Sequence, residues 1–353
     1  MIDNKLIYSG PRDRLAKGRL HKVMVALNAP KDWPGWQVAL LALFLCLFGG
    51  LFWYFPQGDW QTAVGIAAAL GIFFLVDVFI LSLLPARRIS FGSWKAQFFS
   101  LELPRTLAVV GLGILTFWLP EPWAWVVFLA LQLLASGLLI WGAHIEPAVL
   151  NLTQLYVTSR EMPADWEPIR LLHISDLHIE RLSRREEAVL TFIEQVQPDV
   201  ILITGDYLNL SFNLDPEAYQ EVQIFLSHLS APQGVYAVLG TPTVDLWELI
   251  APLFDDLPVT LLRDAWQEVR WPDGRRLVLL GLDCTHDTVR DAQRLEKLVS
   301  EAPPAVPNVL LYHSPELMPY AVDLGIELYL CGHTHGGQVR VPVIGPLLTS
   351  SDL

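Results

Sequence analysis

Hydrophobic positions follow two regimes along this chain. Up to about residue 145 they form long unbroken runs; beyond residue 168 they form short runs separated by amphipathic stretches. Residues 36–55 and 61–84 are each long enough to cross a hydrocarbon core of about 30 Å at about 1.5 Å per residue. Residues 103–119 are a shorter run, and 123–143 a full-length one. Trp33, Trp36, Trp53, Tyr54, Trp60, Trp118, Trp123, Trp125 and Trp141 gather near the run ends, where amphipathic rings favour the membrane interface. The pattern predicts a four-helix transmembrane domain over 36–145, entered from an arm at 1–35. The first run is too long for a cleavable signal, and more runs follow it.

After a connector at 146–168 the period changes. Residues 152–158 alternate apolar and polar positions, which predicts an amphipathic strand. Buried strands are expected at 169–174, 200–204, 235–239, 277–282, 309–312 and 328–331. Helices are expected at 184–196, 216–229, 245–254, 289–300 and 315–322. Pro272-Asp273-Gly274 makes a hairpin of 266–271 and 277–282. Strands alternating with helices predict a layered α/β domain over 169–353.

Charge orients this picture. The 353 residues are 52% apolar, with a mean hydropathy of +0.38. Residues 1–150 carry 11 basic against 8 acidic side chains, whereas 151–353 carry 13 against 29. So acidic a second half excludes a nucleic-acid partner, which requires a basic face. Cys46, Cys284 and Cys331 have no paired or metal-like spacing, which fits a reducing compartment. The arm carries Lys5, Arg12, Arg14, Lys17, Arg19, Lys22 and Lys31, and the second loop Arg87, Arg88, Lys95 and Arg105. The loops around 57–59 and 120–122 have no basic residue. The positive-inside rule therefore puts the arm and, with four spans, the α/β domain in the cytoplasm of a protein integral to the inner membrane. Failure of the short third span to cross would reverse that orientation. Asp77 is the one acid expected at depth, and is read as a polar contact to a neighbouring helix because no second intramembrane charge accompanies it.

Chemistry gathers where the short apolar runs end. Leu171-Leu172-His173-Ile174-Ser175-Asp176-Leu177-His178 runs from a strand into an acid and, two residues later, a histidine. In extended chain these two point to one side, and a carboxylate with an imidazole suits a divalent metal. Later run ends supply Gly205-Asp206, His313 and Gly332-His333-Thr334-His335. His173 lies inside its run and reads as a core histidine or one behind a ligand. His286 is expected in an exposed loop or helix cap, and His228 and His144 as structural. Asn209, three residues after Asp206, is a candidate for lining the pocket.

From residue 169 onward, in order and spacing, these motifs resemble the calcineurin-like metallophosphoesterase family. Ile174-Ser175-Asp176-Leu177-His178 and Gly336-Gly337-Gln338 come closer still to its membrane-anchored bacterial branch. The resemblance implies an α/β/β/α sandwich with two divalent ions (Mn, Fe or Zn) bridged by Asp206. Asp176, His178 and His335 would hold the first ion, and His313 and His333 the second. Asp206 and His333 would be the catalytic residues, with Asn209, Thr241, Gly336 and Gly337 near the substrate. The implied activity is metal-dependent hydrolysis of a phosphodiester, phosphomonoester or pyrophosphate by an activated hydroxide. Anchoring suggests a phosphate-bearing small molecule or lipid at the membrane as substrate; no oligomeric state is implied.

Two departures qualify the resemblance. The family's Gly-Asn-His followed by an acid is here Gly240-Thr241-Pro242-Thr243, which removes a metal ligand and the histidine that steers the leaving group. The alternative is therefore a catalytically impaired relative that senses a metal or phosphate ligand and signals through the helices. The chain also stops soon after the last motif, so the sandwich is expected to be C-terminally truncated, with an unpaired sheet edge. A transporter with a phosphatase-like regulatory domain finds little support in one intramembrane acid and no repeat.

Overall fold

The computed structural model describes residues 26–89, 92–159, 162, 163, 166–337, 339–341, 345–348 and 351. It separates a helical unit within 23–150 from an α/β unit built of 151–182 and 186–353. Lys5, Arg12, Arg14, Lys17, Arg19, Lys22 and Gln338 lie outside the described residues.

Four helices form the first unit: α1 (Gly35–Gln57), α2 (Trp60–Ala86), α3 (Trp94–Leu115) and α4 (Glu121–Ile140). All four are long and apolar enough to cross a membrane. Asp59 caps α2 by accepting from the Gln61 and Thr62 N–H groups, both at 3.0 Å. Trp53, Leu70, Phe74, Phe98 and Phe128 are buried between helices, and Trp53 donates its indole N–H to Val109 O at 3.0 Å. Leu43, Leu75, Phe79, Leu107 and Leu133 are exposed on the outside, as lipid-facing positions are.

The third helix corrects the sequence reading. It starts at Trp94, nine residues before the expected run, and so carries Glu102 and Arg105 inside the bundle. Nor is Asp77 alone at depth: its Oδ2 meets Arg105 Nη2 at 2.6 Å, and Arg105 Nε lies 3.5 Å from Glu102. Summed hydropathy penalises each charge as if it stood alone. Charges paired across helices escape much of that penalty.

In the α/β unit, β1 (Leu171–Ile174), β2 (Val200–Ile203), β3 (Val235–Ala237) and β4 (Thr260–Leu261) form one parallel sheet in that order. The second sheet has the order β5 (Ala265–Arg270), β6 (Arg276–Gly281), β7 (Asn308–Leu311), β8 (Leu328–Leu330). Its β5/β6 pair is the expected antiparallel hairpin; β6, β7 and β8 run parallel. Strand alternation sorts the side chains into layers. Val200 and Leu202 meet Leu279, Val309 and Leu311 between the sheets. Ile201 and Ile203 turn to the other face, against Val222 and Phe225 of α5 (Pro216–Ser227). Across the sandwich, Val278, Leu280 and Leu310 pack on Leu295 and Leu298 of the helix Thr288–Glu301. The result is the α/β/β/α layering that the resemblance implied.

Other expectations shifted. Residues 152–158 form no strand and leave Leu155 and Tyr156 exposed; alternation without a neighbouring edge closes no ladder. The helix expected at 245–254 is a short α segment, Trp247–Ile250, followed by 3-10 turns at Ala251–Asp256. Strand β4 and the antiparallel hairpin of β9 (Val339–Val341) and β10 (Gly345–Leu348) escaped the sequence reading. The first is two residues long, and the second lacks an extended apolar run.

Candidate metal centre

The parallel strands end in loops that are tied together before any metal is considered. Asp176 donates its backbone N–H to Gly205 O, and His178 to Asp206 O, each at 3.0 Å. Ile179 continues the ladder to Tyr207 O at 2.8 Å. From the second sheet, Gly332 donates to His313 O at 2.8 Å, and the His333 N–H donates to Asp176 Oδ1 at 2.9 Å. Loops from both sheets thus share one rim.

Sharp turning at that rim has a backbone signature. Asp176, His178, Asp206, His333 and His335 all have positive φ, between 46° and 71°. That region is costly for residues with a Cβ, and such outliers persist where the surroundings over-determine them. Gly205, at φ 90°, lies so close to Gly240 that a Cβ would overlap its backbone. At Gly332 a Cβ would collide with the side chains of Ser175 and Asp176. These two glycines allow the ligand loops to touch.

Two trios result. Asp176, His178 and His335 place one ligand atom each within 4.8 Å of one another, and so do Asp206, His313 and His333. Asp206 faces both trios, with Oδ1 3.3 Å from His313 Nε2 and Oδ2 3.8 Å from His178 Nε2. The imidazoles are aimed from behind: Nδ1 of His178 lies 3.1 Å from Leu208 O, and Nδ1 of His313 2.6 Å from Thr204 O. A carbonyl accepts only from N–H, so each Nε2 keeps its lone pair for the centre. His178 Nε2 and His335 Nε2 face each other at 3.2 Å, a repulsive arrangement unless a proton or cation lies between them. Carboxylate oxygens and imidazole nitrogens in this mixture suit Mn, Fe or Zn, so the residues fit the implied pair of divalent ions.

Electrostatics express the same crowding. Burial pushes the Asp206 carboxyl up, but His313, His178 and His333 together outweigh it and hold the group well below the usual carboxylate range. Burial lowers His313, yet Asp206 against it prevails and raises its pKa to about 9. Burial and His313 lower His333 to about 4. Burial and the neighbouring His178 lower His335.

Thr241 sits inside the second trio. Its N–H donates to Asp206 Oδ1 at 2.7 Å, and its Oγ1 lies 3.1 Å from His313 Nε2 and 3.4 Å from His333 Nδ1. The hydroxyl therefore lies within reach of both imidazoles of that trio. Gly336 (φ 68°) and Gly337 (φ 115°) turn the chain away after His335, and a Cβ on Gly336 would meet open space. Asn209 closes an Asx turn, its Oδ1 accepting from Ser211 N at 2.9 Å.

Three residues gain a place that the sequence did not indicate. Asp245 accepts from the backbone N–H groups of Asp206 and Tyr207 at 2.8 Å and of Gly240 at 3.0 Å, tying the Asp206 and Thr241 loops together. Burial and the adjacent Asp206 push its carboxyl up to about 7. An acid a few residues after the Gly240 turn was the available signal. His286 is buried, against expectation, with its ring 4.9 Å from that of His333 and the same positive φ (54°) as the ligands. Asp287, one residue on, is the helix cap and accepts from Arg290 N at 3.3 Å. Thr204 links His173 Nε2, 2.8 Å from its hydroxyl, to His313, which its carbonyl orients.

Comparison with known proteins places these loops. Residues 169–337 match the family model of the calcineurin-like phosphoesterases. The chain is 26% identical over 224 residues to the uncharacterized metallophosphoesterase YkuE of Bacillus subtilis, covering 62% of this chain and 76% of that protein. It is 32% identical over 185 residues to the phosphodiesterase YaeI of Escherichia coli, covering 50% of this chain and 64% of that protein. To the UDP-2,3-diacylglucosamine pyrophosphatase LpxG of Chlamydia muridarum it is 23% identical over 247 residues, covering 58% and 74%.

Proposed function

We propose that this chain, whose residues 169–337 match the calcineurin-like phosphoesterase family model, is a membrane-anchored, metal-dependent phosphoesterase acting on a phosphodiester or pyrophosphate bond. The observation that carries the reading is Asp206, whose two oxygens face one donor trio each. Asp176, His178 and His335 would hold one divalent ion, and Asp206, His313 and His333 the other. When bound, such a pair supplies Lewis-acid stabilisation of a phosphoryl group and a water acidic enough to attack it.

The protein's own groups do the positioning. Leu208 O and Thr204 O fix the His178 and His313 rings, and Asp245 fixes the loops of Asp206 and Thr241. Pro242 has no proton to offer a leaving group, and positioned acid catalysis is typically worth about 10²–10⁴ in rate. The preferred substrates are therefore those whose leaving group departs unprotonated, such as a pyrophosphate or an activated diester. LpxG and YaeI, to which the chain is similar, are named as a pyrophosphatase and a phosphodiesterase, the two bond classes proposed here. Anchoring by four apolar helices favours a substrate at the membrane, a phosphate-bearing lipid above all. The basic loop at Arg87 and Arg88 favours an inner-membrane protein with this domain on the cytoplasmic side.

Purified full-length protein with Mn²⁺ is assayed on a nitrophenyl phosphodiester beside Asp206→Asn. Turnover by the wild type and its loss in the variant support hydrolysis. Equal background in both, with a metal still bound, favours the sensing alternative that the Thr241 and Pro242 replacements keep open.

A further inference from the structure

A second polar cluster lies inside the helical unit, independent of the phosphoesterase reading. Asp77 of α2, Glu102, Arg105 and Thr106 of α3, and Gln132 and Ser136 of α4 are all buried. Asp77 and Arg105 form an ion pair, although Asp77 Oδ2 and Arg105 Nε and Nη1 take no hydrogen bond among the described residues. Besides their 2.6 Å contact, Arg105 Nη2 donates to Ser136 Oγ at 3.1 Å, and Ser136 donates to Asp77 Oδ1 at 2.7 Å.

Glu102 is left over. Its ion contact is the 3.5 Å approach to Arg105 Nε, and neither of its oxygens takes a hydrogen bond among the described residues. Both amide atoms of Gln132 and the Thr106 hydroxyl are likewise without a hydrogen-bond partner there. Thr106 follows Glu102 by one turn, and Gln132 precedes Ser136 by one turn, so each lies on its helix's cluster-facing side. Two carboxylates against one guanidinium leave one negative charge uncompensated. Glu102 is fully buried between the helices, eight residues into α3, roughly 12 Å along the helix at about 1.5 Å per residue. An excess charge buried between membrane helices is among the costliest arrangements in a membrane protein. Unpartnered carboxylate, amide and hydroxyl oxygens are the donors a hard cation takes.

We propose that the helical unit binds one unit of positive charge at Glu102, as a sodium ion or a proton, with Thr106 and Gln132 as the nearby oxygen donors. The groups facing Glu102 allow this. Asp77 on α2 adds negative charge, Arg105 on α3 offsets one carboxylate, and Cys46 on α1 is near enough to feel Glu102. Among the described residues, the buried polar groups of α4 are the neutral Gln132 and Ser136.

The test uses full-length protein in lipid nanodiscs, in an Asp206→Asn background so that the other centre contributes nothing. Thermal unfolding is followed as sodium chloride replaces choline chloride at constant ionic strength and neutral pH. A rise in midpoint that Glu102→Gln abolishes assigns the site to sodium. Without such a rise, the infrared band of a protonated carboxyl, present in the parent and lost in Glu102→Gln, assigns it to a proton. Gln132→Leu, which keeps every charge, serves where Glu102→Gln does not fold, and weakens the sodium response or shifts the carboxyl band. Absence of both signals in a folded parent means that Glu102 is buried as a bare anion, and the proposal fails.

Discussion

His178 Nε2 and His335 Nε2 stand 3.2 Å apart on rings that are stacked nearly parallel, 11° between planes and 5.0 Å between centroids. Leu208 O claims the Nδ1 proton of His178, so a nitrogen lone pair points at His335. A cation between them turns repulsion into attraction, so metal and fold stabilise one another. Mn²⁺ at about 100 times its Kd adds about 2.7 kcal/mol of stability to the wild type. His335→Ala removes one of the two facing nitrogens and shrinks that gain severalfold. Chelator and metal titrations followed by thermal unfolding check this; an equal gain in both proteins refutes the arrangement.

Thr241 Oγ1 lies 3.1 Å from His313 Nε2 and 3.4 Å from His333 Nδ1, while Pro242 beside it carries no acid. The double change Thr241→Asn, Pro242→His is expected to raise kcat on a poor-leaving-group phosphoester by about 10²-fold. The same change leaves an activated nitrophenyl diester much less affected. Measuring both substrates separates acid catalysis from a general gain in metal binding, which would raise the two alike.

A Cβ on Gly205 would overlap the Gly240 backbone, and one on Gly240 would overlap Asp206. Gly205→Ala is expected to cost at least ~3 kcal/mol through backbone strain and to abolish metal binding. Gly274, also at positive φ (92°) but facing open space in the β5–β6 turn, costs about 1 kcal/mol as alanine and leaves metal binding intact. Urea unfolding together with metal analysis of the two variants tests the contrast.

Burial, only partly offset by Asp176, lowers the pKa of His173 from 6.5 to about 4. Between those values the unfolded chain binds a proton that the folded chain refuses. Stability therefore falls as pH drops from 6.5 towards 4, by up to ~3 kcal/mol, and this histidine contributes no slope above that window. In metal-free protein, His173→Asn is expected to flatten the decline between pH 7 and pH 5, read from urea midpoints. Parallel curves for wild type and variant would show that His173 charges equally in both states.

What the sequence determined by itself was which residues gather at the rim and the layering beneath it. Asp176, His178, Asp206, His313, His333 and His335 follow apolar runs whose period-two pattern places alternate residues in different layers, so their convergence at strand ends was legible. Such periodicities are local, and a linear chain displays them. Partnership across space is not local. Arg105 reads as a loop charge until α3 brings it to Asp77, and His286 as an exposed residue until β6 delivers it beside His333. Asp245 is an ordinary acid until the Asp206 and Gly240 loops turn their N–H groups towards it. Only the tertiary structure decided these, because the energy of a buried charge depends on what surrounds it more than on its neighbours along the chain.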